Sequence, residues 1–229
     1  MRPTVLEAKQ NFMIRWFEEY SNLSSKQYSI FLNIINSVYD DLSVFYRMND
    51  ILDNGSGEIT CDDFGMNITF KALNGKYELL SSYGSITLDY LAFKTIISKI
   101  IDIYSKTYPL GTVVDLNKEY FKDLLPDMNG EPIRVVIMNR FTPLTNELFF
   151  YYTGVIYPVG NNGTNISMVN FSPIAIEKVV HMGYSDEQDT KFIGIEKKRL
   201  LIDMGMHSTS ILTEEEIEGV KEKTVMREQ

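Results

Sequence analysis

The chain has 229 residues, 44% of them hydrophobic, a net charge of −9 and a single cysteine, Cys61. That length allows one large domain or two small ones, and the apolar content supports a packed core. The acidity argues against a phosphate-backbone binder, whose affinity comes from clustered Lys and Arg, and one cysteine excludes an internal disulfide or a Cys-based metal site.

Residues 4–20 read as a helix, with Val5, Phe12, Trp16 and Tyr20 near one face. Ser24 or Ser25 caps a second helix over 25–52, where the apolar period is strongest: Tyr28, Phe31, Leu32, Ile35, Tyr39, Leu42, Phe45 and Tyr46. A second stripe, Ile30, Ile34, Val44 and Met48, widens the apolar arc beyond one packing face. Asp53 to Gly57 forms a turn, and strands fit 58–62 and 66–73. Asn74-Gly75 is a strong hairpin signal, because both turn residues take positive φ, and a strand over 76–81 completes it. Residues 87–106 read as a third helix, with Phe93, Ile97, Ile100 and Tyr104 inward and Pro109 beyond its end.

From Gly111 the chain turns β-rich, with strands over 111–114, 133–141, 147–157 and 166–171, and a loop from Pro158 to Asn165. Ser172-Pro173 carries the signature of a helix start, which would turn Ile176, Val179 and Val180 inward. Another helix, or a helix–strand piece, fits 186–201. Residues 213–229 are acidic and poor in apolar side chains, and read as a solvated tail that is helical only on docking. The fold class is α+β: N-terminal helices with a small antiparallel β-hairpin, then a twisted antiparallel sheet packed by one or two helices. The expected divisions are 1–108, 109–205 and a flexible tail at 206–229.

The motifs of chemistry are missing. His181 and His207 are far apart in sequence, with no carboxylate at metal-ligand spacing. Cys61 precedes Asp62 and Asp63, whose negative charges disfavour a reactive thiolate. No nucleophile elbow, P-loop or dinucleotide fingerprint occurs, and Asp53 to Glu58 lacks the alternating carboxylates of a calcium loop. The acid pairs Glu18-Glu19 and Asp40-Asp41, the triplet Glu214-Glu215-Glu216 and the basic run Lys197-Lys198-Arg199 read as solvated faces. We therefore expect no catalytic residue, no cofactor and no metal. No apolar run of about 20 residues marks a membrane span. Met1-Arg2-Pro3-Thr4 leads into a mixed polar and apolar stretch rather than a secretory signal. With a lone cysteine this suits the cytoplasm, where the sequons at Asn67 and Asn162 are chance matches. Binding of another protein then falls to surplus apolar surface: Ile30, Ile34, Val44 and Met48 on the long helix, or Phe150 and Tyr152 of the run Phe149 to Tyr152. The plainer reading of that run is core.

One stretch carries a pattern. Pro109-Leu110-Gly111-Thr112-Val113-Val114 and Leu116 precede the strand Val135 to Arg140, and then Tyr152-Thr153-Gly154-Val155-Ile156-Tyr157-Pro158-Val159-Gly160. Phe171, Ile176, Val179, Gly183-Tyr184, Asp186-Glu187 and Phe192 follow. Over about 109–193 this resembles the bacterial family known as domain of unknown function 4176. Members of that family occur in type VII secretion loci beside genes for LXG-domain toxins. The resemblance implies a non-catalytic adaptor or chaperone that binds the N-terminal helical domain of such a toxin and delivers it to the secretion ATPase. It supplies no functional residues; Gly111, Gly154, Tyr157, Pro158 and Gly160 read as structural. Asn139 departs from the family, which tends to have Gly there, and residues 1–108 lie outside the resemblance. The alternatives are an immunity protein that blocks the toxic domain, whose acidity suits a basic nuclease, and an enzyme with an unrecognised site.

Overall fold

The computed structural model describes residues 5–62, 67–121, 132–160 and 168–227. The chain divides after Ser105 into two compact units.

The first unit runs α1 (Val5–Tyr20), α2 (Ser25–Val38), α3 (Ser43–Asn54), β1 (Glu58–Cys61), β2 (Ile68–Leu73), β3 (Lys76–Ser81), β4 (Gly84–Leu88) and α4 (Tyr90–Tyr104). Ser24 starts α2 through a reciprocal cap with Gln27. The four strands form an antiparallel sheet in chain order. Asn74 and Gly75, at φ 51° and 77°, turn the β2–β3 hairpin as the sequence predicts. Rings link the layers: Phe17 meets Phe31, Phe31 meets Phe93, and Phe93 meets Phe70 edge-on at 5.1 Å between centroids.

Three expectations fail here. The helix expected over 25–52 is two helices, broken at 39–42, where Asp41 accepts a hydrogen bond from the Ser43 N–H. Asp side chains compete for backbone donors in this way, and the apolar phase continues across the break, which hides it in the sequence. The alternation Gly84 to Leu88 is a fourth strand rather than lead-in to a helix; α4 begins at Tyr90, capped by Asp89 on the Ala92 N–H. In α1 the buried residues are Met13, Trp16 and Phe17, while Val5 and Tyr20 at its ends are exposed.

The second unit runs β5 (Val113–Leu116), a 3-10 turn (Lys118–Phe121), β6 (Ile133–Pro143), β7 (Leu148–Ile156), β8 (Met168–Phe171), β9 (Ile176–His181), α5 (Glu187–Lys197) continued by a π-turn (Lys198–Asp203), β10 (His207–Ser208) and α6 (Glu214–Arg227). Its sheet has the order β10-β7-β6-β5-β9, with β8 also on β7. All pairs are antiparallel except β10 with β7. The architecture is thus α+β in both units.

The helix expected from Ser172-Pro173 is a single 3-10 turn, Pro173–Ala175, and then the edge strand β9. Its β-branched Ile176, Val179 and Val180 pack on a pleated surface, and Val180 is exposed instead of inward. Residues 206–211, expected in the tail, belong to the fold: β10 pairs with β7, and Met206, Ser208 and Ile211 are buried. Beyond them α6 starts at Thr213 and Glu216, which cap each other reciprocally. The second sequon and most of the 158–165 loop lie outside the described residues.

Candidate functional site

The residues expected to bind a partner are placed as follows. Ile30, Ile34, Val44, Met48 and Tyr152 are buried, and Phe150 is half-buried. The surplus arc is core, because α2 packs on β4 and α3 on β1 and β2 as well as on helices. A Cβ on Gly84 would lie 3.0 Å from the Ile30 side chain. Tyr152 is buried for its hydroxyl as much as its ring. That oxygen accepts from the Tyr108 N–H at 2.9 Å and donates to the Lys106 carbonyl at 3.1 Å. These positions lack the exposure on which their candidacy rested, so a partner face is to be sought elsewhere.

The five motif residues sit at chain reversals and close approaches. Gly111 and Gly160 have positive φ, 77° and 63°. Gly154 lies where β6 bulges at Met138, and a Cβ there would run into the Val135 side chain and stand 2.5 Å from the Val136 carbonyl oxygen. Asn139, just past the bulge, faces Thr153. Tyr157 is exposed, its N–H donating to the Arg134 carbonyl at 2.8 Å, and Pro158 follows the end of β7.

The chemistry-bearing side chains stay apart. His181 lies on β9 and His207 on β10, at opposite edges of the six-stranded sheet. Cys61 is buried, with an Arg47 Nη1 donating to its sulfur at 3.1 Å. Among the described residues no group of three or more His, Cys, Asp or Glu side chains is placed to hold a metal ion.

What the second unit does build is an open depression of about 460 Å³, lined by Leu110, Tyr184, Asp186, Gln188, Asp189 and Phe192. Its two walls are brought together by a backbone contact. A Cβ on Gly183 would collide with the Leu110 carbonyl and lie 2.7 Å from the Thr112 nitrogen, so only glycine lets the segment after β9 touch the one before β5. The Gly183 N–H donates to Thr112 Oγ1 at 3.0 Å, and Thr112 itself is held by the Pro109 carbonyl. On the other wall Asp186 caps α5 through the Asp189 N–H at 2.9 Å. The rim is apolar and wet: Tyr184 is 82% exposed, Leu110 48% and Phe192 46%. One helical face carries Gln188, Phe192 and the exposed Ile195.

Beneath the rim lies Arg140, its side chain 4% exposed. One Nη2 donates to Asp189 Oδ1 at 2.6 Å, and the guanidinium carbon sits 5.4 Å from the Phe192 ring centre. Its Nε and Nη1 have no partner among the described residues. Arg140 thus ties β6 to α5, holds the Asp189 carboxylate and lies over the Phe192 ring.

Residues 107–192 match the family model of Domain of unknown function (DUF4176). The match agrees with the resemblance read over 109–193. All six residues that line the depression fall inside this DUF4176 segment, at its two ends in sequence. No curated protein and no solved structure matches the chain.

The sequence named Gly183-Tyr184, Asp186 and Phe192 only as part of the family pattern, and missed the site they form. The signal available was α5 itself, where Phe192 and Ile195 lie on a face otherwise polar.

Proposed function

We propose that this chain is a non-catalytic cytoplasmic adaptor that binds an LXG-type toxin and presents it to a type VII secretion ATPase, with the depression of the DUF4176 segment as its docking face. The observation that carries the reading is exposed apolar surface gathered at one place: Leu110, Tyr184, Phe192 and Ile195. Such clusters in a folded domain mark interaction sites. An amphipathic helix laid along α5 would find a row of anchors at helical spacing. The family resemblance supplies the class of partner, and the match of residues 107–192 supports the resemblance.

The test is co-purification of the full chain with each half of such a toxin separately. The N-terminal helical domain should bind, and Tyr184→Ser with Phe192→Ser should abolish capture while the melting curve stays unchanged. Capture of only the C-terminal toxic domain would replace this reading with that of an immunity protein, for which the net charge of −9 is suited against a basic toxin.

A further inference from the structure

We infer that the depression takes a lysine or arginine side chain, carried beside the apolar stripe of an amphipathic partner helix. This rests on the reading of the depression as a docking face and adds the chemistry of its occupant. The six lining residues divide into three kinds. Leu110, Tyr184 and Phe192 give apolar and aromatic surface for an aliphatic stem and a cation over a ring. Asp186 and Asp189 give carboxylates, and Gln188 an amide.

The balance of charge decides which ion the site prefers. Arg140 and the start of α5 favour an anion. But Arg140 lies under the rim, not on it, and its Nη2 is held by Asp189 at 2.6 Å. That pair cancels. Glu187 at the same helix end is paired with Lys191 at 3.0 Å. The carboxylate left over on the lining is Asp186, whose Oδ1 caps α5 and whose group is otherwise open to solvent. A cation placed there meets Asp186 first, with the Tyr184 and Phe192 rings beside it. An anion meets the same carboxylate and is repelled before it reaches Arg140.

The experiment uses the full chain and three synthetic helical peptides of one length and one leucine stripe, with Lys, Gln or Glu at the flanking positions. Binding is followed by amide resonances. The Lys peptide should shift Leu110, Tyr184, Gln188, Phe192 and Ile195 and bind about tenfold more tightly than the Gln peptide, with the Glu peptide weakest. Asp186→Asn keeps the helix cap, since Asn caps as well as Asp, and should remove most of that preference. Raising salt should narrow it in the wild type. Tightest binding by the Glu peptide would overturn the inference in favour of an anion at Arg140. So would a Lys preference that survives both Asp186→Asn and high salt, or an absence of shifts at these residues. The adaptor reading fails separately. If the Lys peptide docks but neither toxin half is captured, the site stands and the adaptor falls. If the N-terminal toxin half is captured equally by wild type and Asp186→Asn, the adaptor stands and this site falls.

Discussion

The two units differ in how much apolar surface they leave open. Among the described residues, twelve large apolar side chains stand exposed in the second unit and five in the first. Both units also take charge inside: Lys94, Lys99 and Asp102 are buried in α4 of the first, and Asp115, Lys197 and the Arg140 side chain in the second. Lys99 places its amine 5.8 Å from the Trp16 ring centre, and burial lowers its pKa to about 8 against the opposing pull of Asp102. Lys94 donates to Asp53 at 2.6 Å, in a network that includes Tyr90 and Asn49. A perturbed amine in a concave site would suggest chemistry. Here Lys99 belongs to the first unit and the depression to the second, and it is the second that leaves most apolar surface open.

The sharpest way to break the second unit is at Gly154. Its backbone lies against Val135 and Val136 at the bulge, and neither a β-strand carbonyl nor a buried valine yields cheaply. Gly154→Ala should cost more than about 3 kcal/mol and strip exchange protection from β6 and β7. A well-folded variant would show that the bulge can open, and with it the link from β6 through Arg140 to α5.

The buried amine of the first unit gives a pH signature. A lysine whose folded pKa lies below its unfolded value of 10.5 binds fewer protons when folded, so stability rises with pH between about 8 and 10.5, by up to about 3 kcal/mol. Lys9, lowered by burial as well, adds in the same direction. Tyr104 opposes it above its ordinary pKa of 10.0, because burial raises the phenol and the unfolded chain then ionises first. The clean window is therefore pH 8 to 9.5. Denaturant melts there should show rising stability, flattened in Lys99→Met; a fall across that window would refute the assignment.

A smaller local test is the β2–β3 turn. Gly75 has φ 77° with open space around it, so Gly75→Val costs backbone strain alone, about 1–2 kcal/mol. A neutral result by chemical denaturation would mean the turn relaxes into another type.

What the sequence made legible were features set by near neighbours. The Ser24 cap, the Asn74-Gly75 turn, the apolar face of α4 and the long strands β6 and β7 depend on residues a few positions apart. What it hid depends on distant contacts. The break at Asp41 is silent in the periodicity, and β9 is a strand because β5 offers it an edge, against the helix signal of Ser172-Pro173. The exposure of Ile34 or Val44 could not be read at all, since a four-stranded sheet covers the second stripe. The depression needs Gly183 to meet Thr112, 71 positions away in sequence. Its residues were visible as a family pattern, its shape was not.

The smallest effect concerns α6, and it tests where the second unit ends. A cut after Leu212 removes α6, whose first turns offer only Ile217 and Val220 half-buried and a row of exposed acids. Ordering each residue costs about 1–2 kcal/mol, which so little apolar burial scarcely offsets. The melting temperature should therefore move by no more than about 3 °C, the scale of a sub-kilocalorie change in a unit this size. A cut after Met204 is a different matter. It removes β10 from β7 and takes away Met206, Ser208 and Ile211, all buried. If the shorter truncation alone already abolishes soluble expression, α6 is part of the core and the fold extends beyond β10. If even the longer one is harmless, the parallel pairing of His207 and Ser208 with Leu148 and Phe149 contributes nothing measurable, and the unit closes at the π-turn instead.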